Sequence, residues 1–270
     1  MNAARRAPAT AGTLLIAVLT LAGHSLRAAD VLTWQQKEEF LLKGKITKVR
    51  EAKKGVTGAL RATLTDGKLT HDAKIQTIDE TKQFFLNEVN FKDTYKFNVA
   101  GWKLAQLLGL DDMVAPSVNR TYLGNPASFD WWIDDVVMDE QDRRDRNLQA
   151  PNPDNWQKEY DVMLVFDQLI YNMDRNQTNI EIDKDWRLWM IDHTRGFRVH
   201  KTLKDPSALK RIDRGMLARM KTLDEAALTK AFGRNVNKNE IQGLLARRDL
   251  IVKFFDDKGA GALYDRPARN

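Results

Sequence analysis

Asp174, Asn179 and Asp192 are the residues whose types and spacing could do chemistry. Asn179 stands just before an alternating stretch, Ile180-Glu-Ile182, and Asp192 just after another, Arg187-Leu-Trp-Met-Ile191, with Asp183-Lys-Asp185 as the turn between. Two such stretches pair as a hairpin. To within a residue or two of register, its open ends then hold an amide beside a carboxylate. Asp174 lies five residues before Asn179, in the loop Tyr171-Asn-Met-Asp-Arg-Asn-Gln-Thr-Asn179 that feeds the hairpin. Hard oxygen donors of this kind suit Mg²⁺, which binds carboxylate, amide and phosphate oxygens and keeps some waters. Neighbouring carboxylates also need a cation to relieve their repulsion. Taken singly, each residue reads as an Asx residue capping a turn; together, at this spacing, they read as a metal-binding set.

The elements that must position these groups are readable from periodicity. Trp156 to Tyr171 is the helix that delivers the loop. Upstream, Thr33–Leu42 reads as a short amphipathic helix, followed by strand-like stretches at Ile46–Val49, Leu60–Leu64 and Leu69–Ile78, the last containing Lys74. Turns at Lys53–Gly58 and Asp66-Gly67 join them, so the spacing predicts an antiparallel meander. Phe97–Leu110 reads as a helix ended by Gly109, and Met113–Val118 and Phe129–Val137 as further strands. Asp139–Asn155, rich in Asp, Arg and Pro, reads as a loop between lobes. From Lys204 the pattern is helical, with capping-box-like starts at Thr222-x-x-Glu225 and Asn237-x-x-Glu240. The order predicts an α+β protein: a small antiparallel-sheet lobe over 30–138, then a mainly helical lobe over 139–270.

Bulk composition narrows the function classes. The chain has 270 residues, 43% hydrophobic and 30% charged, enough for a substantial core. Its net charge is +6, but residues 1–29 carry Arg5, Arg6 and Arg27 and no acid, leaving 40 basic against 37 acidic residues. No basic run with interleaved aromatics supports nucleic-acid binding. Without cysteine, disulfides, zinc–thiolate sites and thiol catalysis are excluded. Residues 1–29 read as a signal peptide: Arg5-Arg6, an apolar run from Thr13 to Ala22, and Ala28-Ala29 at the end. The expected location is therefore periplasmic or secreted, or cytoplasmic should the leader reading fail, with no transmembrane span in the mature chain.

The local words carry a family resemblance. Asn172-Met-Asp-Arg-Asn-Gln-Thr-Asn179 resembles the Asp-Arg-x-x-x-Asn loop of phosphatidylinositol 3- and 4-kinases and the Asn-x-Asp-Arg-His loop of the secretory-pathway, Golgi casein-kinase-type kinases. Ile191-Asp-His-Thr-Arg-Gly-Phe197 resembles their Ile-Asp-x-Gly/Arg-x-Phe metal motif. Phe97 to Pro116 resembles their Glu-x-Ala-Ala-x-x-Leu-x-x-Leu-Leu-Gly-x-x-x-Val-Pro segment. The spacings of five residues from Asp174 to Asn179 and thirteen from Asn179 to Asp192 match the kinase template. The His-Arg-Asp, Asp-Phe-Gly and Ala-Pro-Glu words of ordinary protein kinases are absent. The resemblance spans about residues 45–200 and extends to a bacterial group built on the same plan.

That resemblance implies an atypical, two-lobed protein-kinase-like fold and phosphoryl transfer from ATP, with Mg²⁺ or Mn²⁺, to a hydroxyl of a protein, sugar or lipid. Asp174 would orient or deprotonate the acceptor, and Asn179 and Asp192 would hold the metal. Lys74 would grip phosphate, Gly55 and Gly58 would cover it, and Val136–Met138 would form the hinge beside adenine. The helix glutamate that pairs with the lysine falls at Asn98, which cannot form an ion pair; Glu88 and Asp93 are the candidate replacements. Arg175 and Arg195 either neutralise transferring charge or fix the loop by pairing with acids. The alternative is a catalytically impaired, kinase-like protein of the cell envelope that binds a nucleotide or a partner without turnover.

Overall fold

The computed structural model describes Met1 and residues 32–52, 59–267 and 269. The leader reading over 1–29 and the phosphate-cover glycines Gly55 and Gly58 lie outside the described residues after Met1. Thr33–Asn270 forms one compact unit. No described helix is long and apolar enough to cross a membrane.

The unit opens with α1 (Trp34–Lys43), closed at its start by a capping box between Thr33 and Gln36. Strands β1 (Lys45–Glu51), β2 (Leu60–Thr65) and β3 (Thr70–Gln76) form the expected antiparallel meander. The Asp66-Gly67 turn sets the β2–β3 register: Asp66 Oδ1 accepts from the N–H groups of Lys68 and Leu69, and Gly67 takes φ +90°. With that turn fixed, Lys74 falls opposite Arg61.

Next comes a hairpin that the sequence reading did not anticipate, β4 (Asp79–Phe85) and β5 (Glu88–Thr94). Its turn is Leu86-Asn87, both at positive φ (50° and 61°). The backbone geometry is that of a two-residue hairpin loop, but no glycine announces it. Helix α2 (Lys96–Leu108) follows and ends at Gly109 in the left-handed region, φ 69°. Strands β6 (Ser117–Tyr122) and β7 (Asn125–Trp131) then complete a five-stranded sheet in the order β1-β2-β3-β7-β6. The expected strand Met113–Val118 is displaced along the chain, because the reversal comes at Leu123-Gly124, both at positive φ.

The segment expected to be a loop between lobes is partly ordered as β8 (Val136–Asp139) and α3 (Glu140–Asp145). Asp139 caps α3 by accepting from Asp142 N–H at 2.8 Å, and Glu140 holds both Arg143 and Arg144. Helix α4 (Pro153–Ile170) starts with Asn152 as cap and proline at its first position and ends at Tyr171, φ 52°. Strands β9 (Ile180–Asp183) and β10 (Leu188–Met190) form the expected hairpin, which β8 extends to three strands.

The rest is helical: α5 (Arg214–Thr222), α6 (Glu225–Phe232) and α7 (Lys238–Lys258), with a short parallel pair of β11 (Ile212–Asp213) and β12 (Leu263–Tyr264). The Asn237/Glu240 capping box forms as expected. Thr222 instead ends α5, and Asp224 caps α6. The core joins α2 (Trp102, Leu104, Leu108) to α4 (Val162, Phe166, Leu169) and α7 (Leu244, Ile251, Phe255).

Candidate functional site

The β9–β10 register pairs Met190 with Ile180, and Ile191 N–H donates to Asn179 O at 3.2 Å. Asn179 and Asp192 therefore stand at adjacent open ends of the hairpin. Arg175 ties those ends together. Its Nη1 donates to Asn179 O (2.7 Å) and to Ile191 O (2.6 Å), while Nε and Nη2 bind the Asp167 carboxylate of α4. One buried arginine thus fixes both strand ends to the helix that delivers the loop. The Asn179 amide donates to Asp174 O at 2.9 Å, which leaves its oxygen as the group it can offer a ligand.

Asp192 has φ 55°, a left-handed backbone that turns its carboxylate out of the hairpin line. Lys74 Nζ lies 3.6 Å from its Oδ2, both side chains mostly buried (18% and 16% exposed). Burial alone would raise the Asp192 pKa; Lys74 and the hydrogen bonds from Thr194 outweigh it and hold it below the usual carboxylate range. Burial would likewise depress the Lys74 ammonium, but Asp192, Asp130 and Glu181 together hold it above its ordinary value. Both groups are charged at neutral pH.

Arg195 links the loop to the sheet side. Its Nε donates to Asp93 on β5 at 2.7 Å and its Nη1 to Asp174 Oδ2 at 3.1 Å. Burial opposes the charge, but Asp93, Asp174 and Asp192 raise the Arg195 pKa above its ordinary value. Both arginines named from sequence therefore pair with acids and fix the loop.

The strap 193–200 is clamped from both sides. Arg198 pairs with Glu88 and donates to Lys92 O, and buried Arg247 of α7 donates to the carbonyls of Leu169, Arg198 and His200. Glu88 is thus not the lysine's partner. It lies on the hairpin, engaged by Arg198 and His200, because residues 79–94 form two strands and carry it away from the cleft. Asp93 is likewise taken by Arg195.

Asn98 has a defined place instead. His193 N–H donates to its Oδ1 at 2.8 Å, and its Nδ2 points toward Asp130 Oδ2 (3.4 Å) and Ser128 Oγ (3.5 Å). His193 packs next to it, buried and pushed well below its ordinary pKa by burial and by the charges of Arg175 and Lys74, so its ring is neutral. A Cβ on Gly101 would stand 3.0 Å from the His193 ring. Gly101→Ala therefore pits helix propensity, about 1 kcal/mol in favour of Ala, against overpacking, about 1–3 kcal/mol. Phe166 packs edge-on against the same buried ring at 5.6 Å between centroids and opposes its retreat, so overpacking should win. The urea midpoint should fall by the equivalent of about 1 kcal/mol; an unchanged or raised midpoint would show that the ring can yield.

Lys74, Asn98, Asp130, Asp192 and His193 line one cleft of about 500 Å³, part of it open to solvent, within the size range of small-molecule sites, while Asp174 and Asn179 stand outside that lining. Lys74, Asp130, Glu181 and Asp192 give it a charged end, and Val114, Ala115, Trp131–Ile133 and Met190 an apolar one. The peptide edge beside the apolar end is Trp131–Ile133, not the expected Val136–Met138, because β8 is occupied in pairing with β9 and Val137 faces solvent. Sequence reading also missed Asp130, Ser117 and Glu181. The alternation Phe129-in, Asp130-out was the available signal for the first.

Among the described residues no group of three or more His, Asp and Glu side chains could hold a metal by itself. One carboxylate and one amide oxygen suit a divalent ion that completes its shell with water and phosphate, the usual habit of Mg²⁺.

No protein-family model and no curated protein matches the sequence. Solved structures do match. The structure of hydra Fam20 with sugar has TM-score 0.61 at 15% identity, covering 86% of this chain and 92% of that one. The Golgi casein kinase with Mn and ADP bound has TM-score 0.59 at 13% identity, covering 88% and 80%. The Helicobacter pylori proinflammatory kinase CtkA has TM-score 0.55 at 11% identity, covering 80% and 95%. With its antiparallel N-terminal sheet and helical C-terminal part, the chain has an atypical protein-kinase-like fold.

Proposed function

We infer that the protein is an ATP- and divalent-metal-dependent phosphotransferase acting on a hydroxyl of a protein, sugar or lipid. The observation that carries this is the Lys74–Asp192 pair in one cleft with an apolar end, beside a hairpin whose other open end is Asn179 and whose feeding loop carries Asp174. Adenine fits the apolar end along Trp131–Ile133, and the triphosphate the charged end. Asn179 and Asp192 would hold Mg²⁺ or Mn²⁺, which when bound neutralises phosphate charge. Lys74 grips phosphate oxygens. Arg195 keeps the Asp174 carboxylate turned to the acceptor. The acceptor oxygen forms its bond to the γ-phosphorus as the bond to ADP breaks, and the hydroxyl proton passes to Asp174. Little covalent chemistry is asked of the protein; positioning and charge stabilisation do most of the work.

A thermal-shift panel of nucleotides with and without Mg²⁺ or Mn²⁺ tests the reading. ATP plus metal at about 100 times its dissociation constant should stabilise the chain by roughly 2.7 kcal/mol, and neither alone should match it. Equal shifts for ATP with metal and for ATP without it would remove Asn179 and Asp192 from the site. Binding without phosphoryl transfer to any hydroxyl acceptor would leave a nucleotide-binding protein.

A further inference from the structure

Asp130, Lys74 and Ser117 run side by side across three adjacent strands. Lys74 of β3 is registered opposite Asp130 of β7, and Asp130 opposite Ser117 of β6. Directly opposite residues of an antiparallel pair point to the same face, here the face that lines the cleft. Ser117 Oγ donates to Asp130 Oδ1 at 2.5 Å, which fixes the carboxylate from the side away from the lysine. The other oxygen faces the Asn98 amide. The carboxylate is thus oriented by a hydroxyl and an amide, and Lys74, its neighbour across the strand pair, is the cation beside it; the lysine's direct contact is with Asp192, and burial outweighs Lys74 to hold the Asp130 pKa above its ordinary value.

Asn98 sits between a donor and an acceptor: the backbone N–H of His193 on one side, the Asp130 carboxylate on the other. Only a group with both an oxygen and an N–H satisfies both at once. A glutamate there would accept from His193 but set a second carboxylate against Asp130. The amide is therefore the residue this cleft requires, and the helix has no need of an acid.

We propose that Asp130 is the positioning carboxylate for Lys74, supplied from strand β7 in place of a helix glutamate, and that Asn98 is a neutral bridge locking α2 to the segment that follows Asp192. The assignment rests on the nucleotide reading of the same cleft. It deepens that reading, because the absent helix acid then no longer marks a damaged site. It also separates two jobs that one ion pair would otherwise combine, holding the lysine and holding the helix.

The test uses the full chain and measures ATP affinity in Mn²⁺, together with the melting temperature of the unliganded protein, for Asp130→Asn, Asn98→Glu and the double variant. Asp130→Asn keeps the shape and the hydrogen-bonding partners and removes the charge. It should weaken ATP by about tenfold, the scale of one modest charge coupling, without lowering the melting temperature, since it also removes a desolvated charge. Asn98→Glu alone should weaken ATP as well, by like-charge crowding. The double variant, with a single carboxylate again beside Lys74, should bind more tightly than either. Unchanged affinity in Asp130→Asn, tighter binding in Asn98→Glu, or a joint fall of affinity and melting temperature in Asp130→Asn overturns the assignment. Should Asp130→Asn fail to fold, the direction of the Asn98→Glu change decides. A wild-type chain that binds no nucleotide under any metal overturns the nucleotide reading itself and this assignment with it. Wild-type binding with insensitive variants overturns the assignment alone.

Discussion

Replacing Asp192 with Asn should abolish metal-dependent nucleotide binding, reducing affinity at least a hundredfold, or about 2.7 kcal/mol. Asparagine is the informative substitution for a backbone reason. Asp192 has φ 55°, a conformation that Asn tolerates but that strains most other side chains by roughly 1–2 kcal/mol. Asp192→Ala mixes that strain with loss of the ligand. Asp192→Asn isolates the charge, leaving Lys74 with Asp130 and Glu181 as its remaining acids. The Mn²⁺–ATP thermal shift should then fall to the level of metal-free ATP. An undiminished shift in a folded Asp192→Asn protein would mean that the ligand is held elsewhere. The sign of the pH dependence follows from the same residue. A carboxylate held below its ordinary range contributes stability that is present above that range and lost as pH falls through its folded pKa. Between neutral pH and the ordinary carboxylate range, wild type and Asp192→Asn should therefore differ by a constant amount. The difference should close only at lower pH.

The second large effect is kinetic. Asp174→Ala should lower phosphoryl transfer by about 10²–10⁴-fold, the usual contribution of a general base, while ATP affinity in Mn²⁺ stays within about twofold. The geometry supports the split. Asn179 is oriented by the Asp174 main-chain carbonyl, which the substitution keeps, and Arg195 retains Asp93 when it loses Asp174. Single-turnover transfer and equilibrium binding, measured on one preparation, check it. A parallel loss of binding and transfer would make Asp174 a structural residue of the loop.

What was legible in the sequence was what strict period or local chemistry governs. The β9–β10 hairpin and its two end residues could be read because a period of two leaves little freedom in where Asn179 and Asp192 emerge. Helix α2 could be read from its apolar spacing and its terminal glycine. The β4–β5 hairpin was missed because Asp79–Thr94 is charged, exposed on β4, and turns on Leu86-Asn87 without glycine. That one omission misassigned Glu88, which tertiary pairing with Arg198 explains and no local pattern could. Asp130 went unseen for a related reason. Its importance comes from the register of β3 against β7, two strands separated in sequence by a hairpin, a helix and a further strand. Val136–Met138 was expected beside the cleft because it is apolar and strand-like, which it is, though it pairs with β9 and Trp131–Ile133 lines the cleft instead.

The clamps around the strap that follows Asp192 also bear on how the protein can be made. Arg195 reaches back 102 residues to Asp93, and Arg198 reaches 106 residues to Lys92. Arg247 must then arrive to hold the carbonyls of residues 169, 198 and 200. A chain emerging from the ribosome N-terminus first can build its sheet and α2, with Asp130 already beside Lys74, Ser117 and Asn98, while Lys74 still awaits Asp192. Contacts of such long separation form late because loop closure precedes their reward. On the nucleotide reading, a growing chain should gain protection from ATP only once α7 has been synthesised to complete that clamp.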